Sequence, residues 1–146
     1  MRNTTDVSSI HWCQNGQHLV TSSSDKMARI WKVDEKSPLL HIESIKSFPT
    51  MLMNSKFNKA KAGEDYLIAT GGHSGIVTVW KASDSKDVAK LNHSQSDPSL
   101  EGLEIDWQNN RSLAVTGKSK NIYLWDIQTP MLPQQVWSGG HSEEVE

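Results

Sequence analysis

The first stretch that could carry chemistry is Gly117-Lys118-Ser119, which matches the end of a phosphate-binding loop. In such loops, backbone N–H groups at the start of a helix and a lysine hold the phosphate oxygens. The motif also needs a glycine five residues before the Gly-Lys pair and a helix after it. Ser112 stands at the first place, and a strand pattern over 121–125 follows. The sequence therefore predicts a turn here and no nucleotide site.

The second stretch is the tetrapeptide Gly-Gly-His-Ser, which occurs at 71–74 and again at 139–142. His73 beside Ser74 offers a base next to a hydroxyl. Neighbouring side chains in a turn rarely point at each other, however, and no aspartate stands where it would orient the histidine. The glycines are more simply interpreted as turn residues. No nucleophile is predicted.

The sequence gives equally little indication of a metal site or of acid–base catalysis. The six histidines have no metal-ligand spacing, and Cys13 is the single cysteine. Glu104 and Asp106 lie two residues apart and could form a carboxylate pair, but strand alternation makes a solvated face the simpler interpretation. We therefore predict no catalytic residue, no metal site, no cofactor and no enzymatic activity.

Composition narrows the classes further. The chain has 146 residues, a formal net charge of −2 and a mean hydropathy of −0.56, which suits a globular domain and gives no general argument for nucleic acid. The basic stretch at 56–61 could touch phosphate or an acidic partner, but a solvated loop is the favoured interpretation. No signal peptide or membrane-length apolar run is present. With one cysteine, we expect an intracellular protein, cytoplasmic or nuclear.

The elements that position these residues repeat three times. Each copy is a short apolar run, a turn of small residues and a second apolar run that ends in tryptophan, at 18–31, 66–80 and 112–125. The closing tryptophans recur about every 45 residues. An alternating segment precedes each copy (7–12, 53–57, 103–107), and a more polar one follows it (39–42, 88–91, 134–137). Each repeat therefore predicts four antiparallel strands.

This pattern resembles the WD40 β-propeller family. Trp125-Asp126 matches the dipeptide that names the family, and Gly140-His141 matches its Gly-His mark. In that family a histidine, a Ser or Thr, an aspartate and a tryptophan form a hydrogen-bonded chain that fixes each blade. The anchors that the resemblance implies are Trp31, Trp80, Trp125, Asp25, Thr21, Thr70, Thr116 and His141. His93 resembles a degenerate form of the Gly-His position.

The chain also departs from the family pattern. Lys32 and Lys81 stand where aspartate follows the tryptophan, and Ser74 and Ser119 stand at or near the turn aspartate. No repeat therefore contains the complete set of four. Within the family, 106–110 and the pattern from 6 to 31 are similar to transducin β-like corepressor subunits, and the third repeat is similar to the WD40 peroxisomal import receptor.

We accordingly predict an all-β, WD40-type propeller of three four-stranded antiparallel blades at about 5–45, 50–92 and 100–138, with 139–146 starting a further blade. Propellers typically have 4–8 blades, so three form an incomplete ring, a fragment of a longer propeller. Further blades of the same propeller, or a second copy, would complete it.

The expected function is a non-catalytic scaffold that docks proteins or peptides on the propeller rim within a multiprotein complex. The rim residues predicted to contact a partner are Ser24, Lys26, His73, Ser74, Lys118, Ser119 and Lys120. The alternative is an RNA- or DNA-associated component of a ribonucleoprotein or chromatin complex. We expect no direct nucleic-acid contact and no membrane association.

Overall fold

A computed structural model describes residues 6–34, 36, 40–93, 97, 104–118 and 121–138. In these ranges the chain forms β-strands and no helix. The first sheet consists of β1 (Val7–Trp12), β2 (His18–Ser23), β3 (Met27–Val33) and β4 (Leu40–Ser47). The second consists of β5 (Leu52–Phe57), β6 (Leu67–Gly72), β7 (Ile76–Lys81) and β8 (Asp87–Asn92). The third consists of β9 (Glu104–Trp107), β10 (Ser112–Thr116), β11 (Ile122–Asp126) and β12 (Gln135–Trp137).

Each sheet is an antiparallel meander in which strands that are consecutive in the chain are neighbours. The alternation that predicted the strands also sets their faces. On β9, Ile105 and Trp107 are buried, whereas Glu104 and Asp106 are exposed. Side chains on a strand point alternately to opposite faces, so this spacing buries one face and leaves the other polar. The prediction of an all-β fold with three four-stranded antiparallel sheets is confirmed.

The three sheets stack through two apolar cores. Between the first and second sheets, Val20 and Ile30 pack with Ile68 and Trp80. The second core lies between the second and third sheets and includes Leu67, Val77, Val79, Leu91, Ile105, Trp107, Leu113, Val115 and Trp125. The second sheet is thus covered on both faces, which explains why β7 has apolar side chains on both, such as Val79 on one face and Trp80 on the other.

The tryptophans of the second and third sheets face the same way along the stack. Trp80 faces the first sheet and Trp125 faces the second, so each of these tryptophans points toward the sheet that precedes it in the chain. Trp31 is adjacent to Ile30, which faces the second sheet, and therefore lies on the opposite face of the first sheet. Along that face the backbone register aligns Trp12, Leu19, Trp31 and Ile42. We call it the Trp31 face.

The Trp31 face is largely open to solvent. Trp12 is 52% exposed and Ile42 49%, whereas Trp80 and Trp125 are each 1% exposed. Ile10 pairs with Thr21, Thr21 pairs with Arg29, and Arg29 pairs with Ile45, so both isoleucines lie on this face. They are 66% and 51% exposed. The three described sheets consequently form part of a ring and do not close one.

One predicted boundary was wrong. The sequence placed the outer strand of the first repeat at 39–42, but β4 continues to Ser47. Its backbone pairs with β3 as far back as Met27, across a bulge between Ile30 and Trp31. Glu43, Ser44 and other polar residues mask the period because this strand is the outer edge of its sheet.

Candidate functional site

The predicted anchors in the second sheet form a buried hydrogen-bonded chain. The Trp80 indole Nε1–H donates to Thr70 Oγ1 at 3.0 Å, and Thr70 Oγ1 lies 2.8 Å from Ser55 Oγ. All three residues are buried. Thr70 thereby ties the inner strand β5 to β7, and the indole gains an acceptor in an environment without water.

The first sheet repeats this bond nearer to solvent. The Trp31 indole Nε1–H donates to Thr21 Oγ1 at 2.9 Å, and both residues are only partly buried. Asp25 lies in the turn before β3 and binds Arg29, with 2.8 Å between Arg29 Nη2 and Asp25 Oδ2. It also accepts the Met27 amide at 3.0 Å. The hydrogen bond from Arg29 lowers the pKa of Asp25 below its usual value.

In the third sheet the tryptophan is held differently. The Trp125 indole Nε1–H donates to His93 Nε2 at 2.8 Å, while the Thr116 hydroxyl donates to the Asn121 carbonyl at 3.1 Å. Thr116 therefore does not take the position that the family pattern implied. The acceptor for the indole is instead His93, in the connection that follows β8 of the second sheet.

His93 is the residue whose importance the sequence understated. Its side chain is fully buried, with Nδ1 2.9 Å from the Gly75 carbonyl. Because Nδ1 meets an acceptor and Nε2 meets a donor, the ring is neutral with its proton on Nδ1. Burial lowers the pKa of His93, opposed by the Gly75 hydrogen bond and the Asp97 carboxylate. The weak Gly-His resemblance at 92–94 was the available signal for this role.

The predicted binding residues are brought together by the backbone. Three hydrogen bonds tie the turns of the first two sheets to the neighbouring connections: Phe48 N–H to the Lys26 carbonyl at 2.8 Å, His73 N–H to the Met51 carbonyl at 3.2 Å, and His93 N–H to the Gly75 carbonyl at 2.8 Å. We call this edge the turn rim. Its described members from the sequence prediction are Ser24, Lys26, His73, Ser74 and Lys118. Ser119, Lys120 and the predicted anchor His141 lie outside the described residues.

Members of the turn rim differ in their exposure to solvent. Lys26, His73 and Lys118 are exposed. Ser24 is partly buried, and its hydroxyl accepts the Asp6 amide at 3.0 Å. Ser74 is also partly buried and lies 3.4 Å from the Ile76 amide, which donates to its hydroxyl. The two serines shape the turns, whereas the three longer side chains extend from them.

The inner strands contain polar contacts that the sequence did not indicate. Glu104 is exposed, as predicted, and its Oε2 also accepts the Asn54 side-chain amide at 3.2 Å. His11 Nδ1 accepts the Phe57 amide at 3.1 Å and so links β1 to β5. Burial and Lys56 lower the pKa of His11, and Asp106 opposes them. These bonds join sheets that local sequence patterns cannot pair.

Several motifs have no catalytic geometry. Gly117 and Lys118 follow β10 and precede a strand, so no helix start is available to hold phosphate. Within the described ranges, no group of three or more His, Cys, Asp or Glu side chains could hold a metal ion. The same ranges contain no helix long and apolar enough to cross a membrane.

The chain is similar to one known family and to several known proteins. Residues 2–32 match the family model described as WD40: WD domain, G-beta repeat. The protein transport protein SEC31 of Eremothecium gossypii is 26% identical over 87 residues, which are 55% of this chain and 7% of that protein. Jouberin of Mus musculus is 30% identical over 82 residues, 56% of this chain and 7% of that protein. The matched part therefore spans about 7% of the length of these curated relatives.

The finer resemblances to corepressor subunits and to the peroxisomal import receptor remain predictions. The matched segment at 2–32 includes all of β1 and β2 and nearly all of β3. Together, this match and the three four-stranded sheets confirm the resemblance predicted from the sequence: residues 2–32 are similar to a WD40 repeat, and the sheets have the architecture expected of part of a WD40 propeller.

Proposed function

We propose that this protein is a non-catalytic interaction scaffold that docks a protein or peptide on its turn rim within a multiprotein complex. The observation that carries this proposal is the set of backbone hydrogen bonds that fixes turns and connections from successive sheets along one edge. Side chains on such an edge have fixed positions relative to one another, which reduces the entropy lost when a partner binds.

The chemistry of the rim favours an acidic or polar partner surface. Lys26 and Lys118 each place an ammonium group on the edge, and His73 is exposed between them in chain order. Lys26 has a backbone φ of 72° and its N–H donates to the Ser23 carbonyl at 3.2 Å, so the turn itself directs this side chain outward. Exposed lysines act as point charges and favour carboxylates without strict geometry.

The Trp31 face supports a second contact of the same scaffold, with another four-stranded sheet. Trp80 and Trp125 are each 1% exposed because a preceding sheet covers them, and Trp31 has the equivalent position with no sheet of the described residues over it. Burying this apolar surface would stabilise the fold by about 25 cal/mol per Å². The covering sheet would come from further blades of the propeller or from a second copy of the chain.

The rim is tested by comparing charge reversals at its two ends. The variant with Lys26→Glu and Lys118→Glu is used as bait beside the wild type, and the recovered partners are quantified by mass spectrometry. The control variant is Lys59→Glu with Lys86→Glu, because both lysines are exposed and lie in connections at the opposite end of the sheets.

Loss of the same partners from the rim variant alone, with recovery by the control, would support docking on the rim. Equal loss from both variants would contradict it. A salt-titrated binding assay with RNA and DNA addresses the alternative role. Tight binding that falls steeply with salt would replace the protein-docking proposal by a nucleic-acid one.

A further inference from the structure

A cavity of about 300 Å³ lies between the first two sheets, at the end opposite the turn rim. The β1–β2 turn and β4 line it from the first sheet, and the β5–β6 and β7–β8 connections line it from the second. A water molecule occupies about 30 Å³ of liquid volume, so the cavity has room for a long side chain. We call it the intersheet pocket.

The floor of the intersheet pocket is apolar. Cys13, Ile30 and Phe57 line it and are each 2–3% exposed, and Tyr66 and Ala82 pack against the same core. Burial raises the pKa of the Cys13 thiol, which keeps this part of the floor uncharged. Such a surface takes up the methylene stem of a ligand in preference to its charged end.

The walls of the pocket are acidic on both sides. Glu43 extends from the first sheet, whereas Glu64 and Asp65 extend from the second. No lysine or arginine is among the lining residues. Glu43 Oε2 lies 3.0 Å from His18 Nε2, and its side chain is 48% exposed; the Asp65 side chain is 72% exposed. Each carboxylate already has a protein partner, since Asp65 Oδ2 lies 3.7 Å from Lys81 Nζ and Glu64 accepts two amide groups, but Glu43 and Asp65 can still be reached from outside.

These features select one class of ligand. The lining does not suit a bare metal ion, since no cluster in the described part of the chain could hold one. A purely apolar group would match the floor but would gain nothing from the carboxylates on the walls. An arginine side chain satisfies both regions, because its stem matches the floor and its planar guanidinium can pair with carboxylates on two walls at once.

We propose that the intersheet pocket binds an arginine side chain of a partner polypeptide. The proposal rests on the role of the protein as an interaction scaffold, but it concerns a second surface at the other end of the sheets from the turn rim. A partner that engages both ends would bind through an acidic surface on the rim and a basic segment at the pocket.

The test uses a pentapeptide, N-acetyl-Gly-Ala-Arg-Ala-Gly-amide, added to the ¹⁵N-labelled protein and followed by NMR up to about 5 mM, the range suited to one-side-chain affinities. The matched peptide has citrulline in place of arginine, which keeps the shape and removes the charge. We expect saturable shifts at the amides of Tyr66 and Ala82 with the arginine peptide only.

Two pocket variants and one matched control test the charge pairing. Glu43→Gln and Glu64→Gln should each raise the dissociation constant about threefold, and together about tenfold, as expected for exposed, nearly additive ion pairs. Glutamine at 64 retains the oxygen that accepts the Lys61 amide at 2.7 Å. Asp6→Asn, an exposed carboxylate at the turn rim, should leave the constant unchanged.

Equal binding of the citrulline peptide, equal weakening by Asp6→Asn, or no saturable shift would each overturn the proposal. Unfolding midpoints of the variants show whether a loss of binding reflects a loss of fold. The rim variant with Lys26→Glu and Lys118→Glu should bind the arginine peptide like the wild type. A failure of the pocket and a failure of the rim are therefore distinguishable.

Discussion

Replacing His93 by phenylalanine tests how the third sheet is anchored. Phenylalanine retains a ring that can contact Tyr123 and Trp125, whose centroids lie 4.9 and 5.2 Å from that of His93. It removes the acceptor of the Trp125 indole N–H, and an unsatisfied buried donor costs about 1–3 kcal/mol. The Gly75 carbonyl still accepts the His93 backbone N–H at 2.8 Å. We therefore expect the free energy of unfolding to fall by about 1–3 kcal/mol.

Alanine at the same position should cost more. It removes the acceptor and also the ring, which leaves a cavity beside Trp125 in a fully buried site. Truncation of buried aromatic side chains costs about 3–5 kcal/mol, and the alanine variant should approach this range. The matched control is His18→Phe, whose partly exposed ring contacts Asn15 and Glu43, and we expect it to cost under about 1 kcal/mol.

The pH dependence provides an independent readout. His93 is neutral in the fold and its pKa is lowered, so protons bind the unfolded chain more readily. Its contribution to stability is therefore complete above about pH 6.5, the unfolded value, and is lost as the pH falls toward the folded value. One such group contributes a slope of at most about 1.4 kcal/mol per pH unit, and His93→Phe should remove it.

Urea unfolding at pH 7.5 and at pH 5.5 measures both effects, and hydrogen exchange of the Trp125 indole proton reports the bond directly. If His93→Phe costs no more than His18→Phe, or leaves the pH slope and the indole exchange unchanged, then the His93–Trp125 bond does not anchor the sheet. Such a result would refute the reasoning.

Three further predictions concern the other sheets. Thr70→Val should lower the free energy of unfolding by about 1–3 kcal/mol, more than Thr21→Val, because Thr70 is buried; equal costs by urea titration would contradict this. Gly72→Ala should lower the free energy of unfolding by at least about 3 kcal/mol, since its Cβ would meet the Met51 carbonyl oxygen at 2.1 Å. Gly16→Ala, in open space at a φ of 71°, should lower it by about 1–2 kcal/mol. A larger loss for Gly16→Ala in thermal unfolding would refute this. His11→Asn should retain the acceptor for the Phe57 amide and reduce the loss of stability below about pH 6.5, where protonated His11 loses that bond; an unchanged slope of stability with pH would disprove this.

Much of the fold was predictable because the relevant signals are local. The period-two pattern around Ile105 and Trp107 fixed which face of β9 is buried, and the tryptophan that ends each repeat set the position of each third strand. Leu40–Ser47 was misjudged because an edge strand is selected for pairing and solubility, and polar residues mask its alternation.

The polar contacts between sheets were not predictable in the same way. His93 and Trp125 are 32 residues apart, and Asn54 and Glu104 are 50 apart. Nothing in either local segment specifies its partner, because the pairing depends on how two finished sheets stack. The acidic pocket was missed for the same reason: Glu43 belongs to the first repeat, whereas Glu64 and Asp65 belong to the second.

The one-way stacking of the sheets constrains any assembly through the Trp31 face. Each sheet has two unlike faces, so a contact that continues this stacking covers Trp31 with the opposite face of another sheet. A contact of this kind is heterologous, because the two partners contribute different surfaces. Repeated contacts either close after a fixed number of sheets or continue as an open stack. The mass in solution would then reach a plateau with concentration in the first case and rise with it in the second.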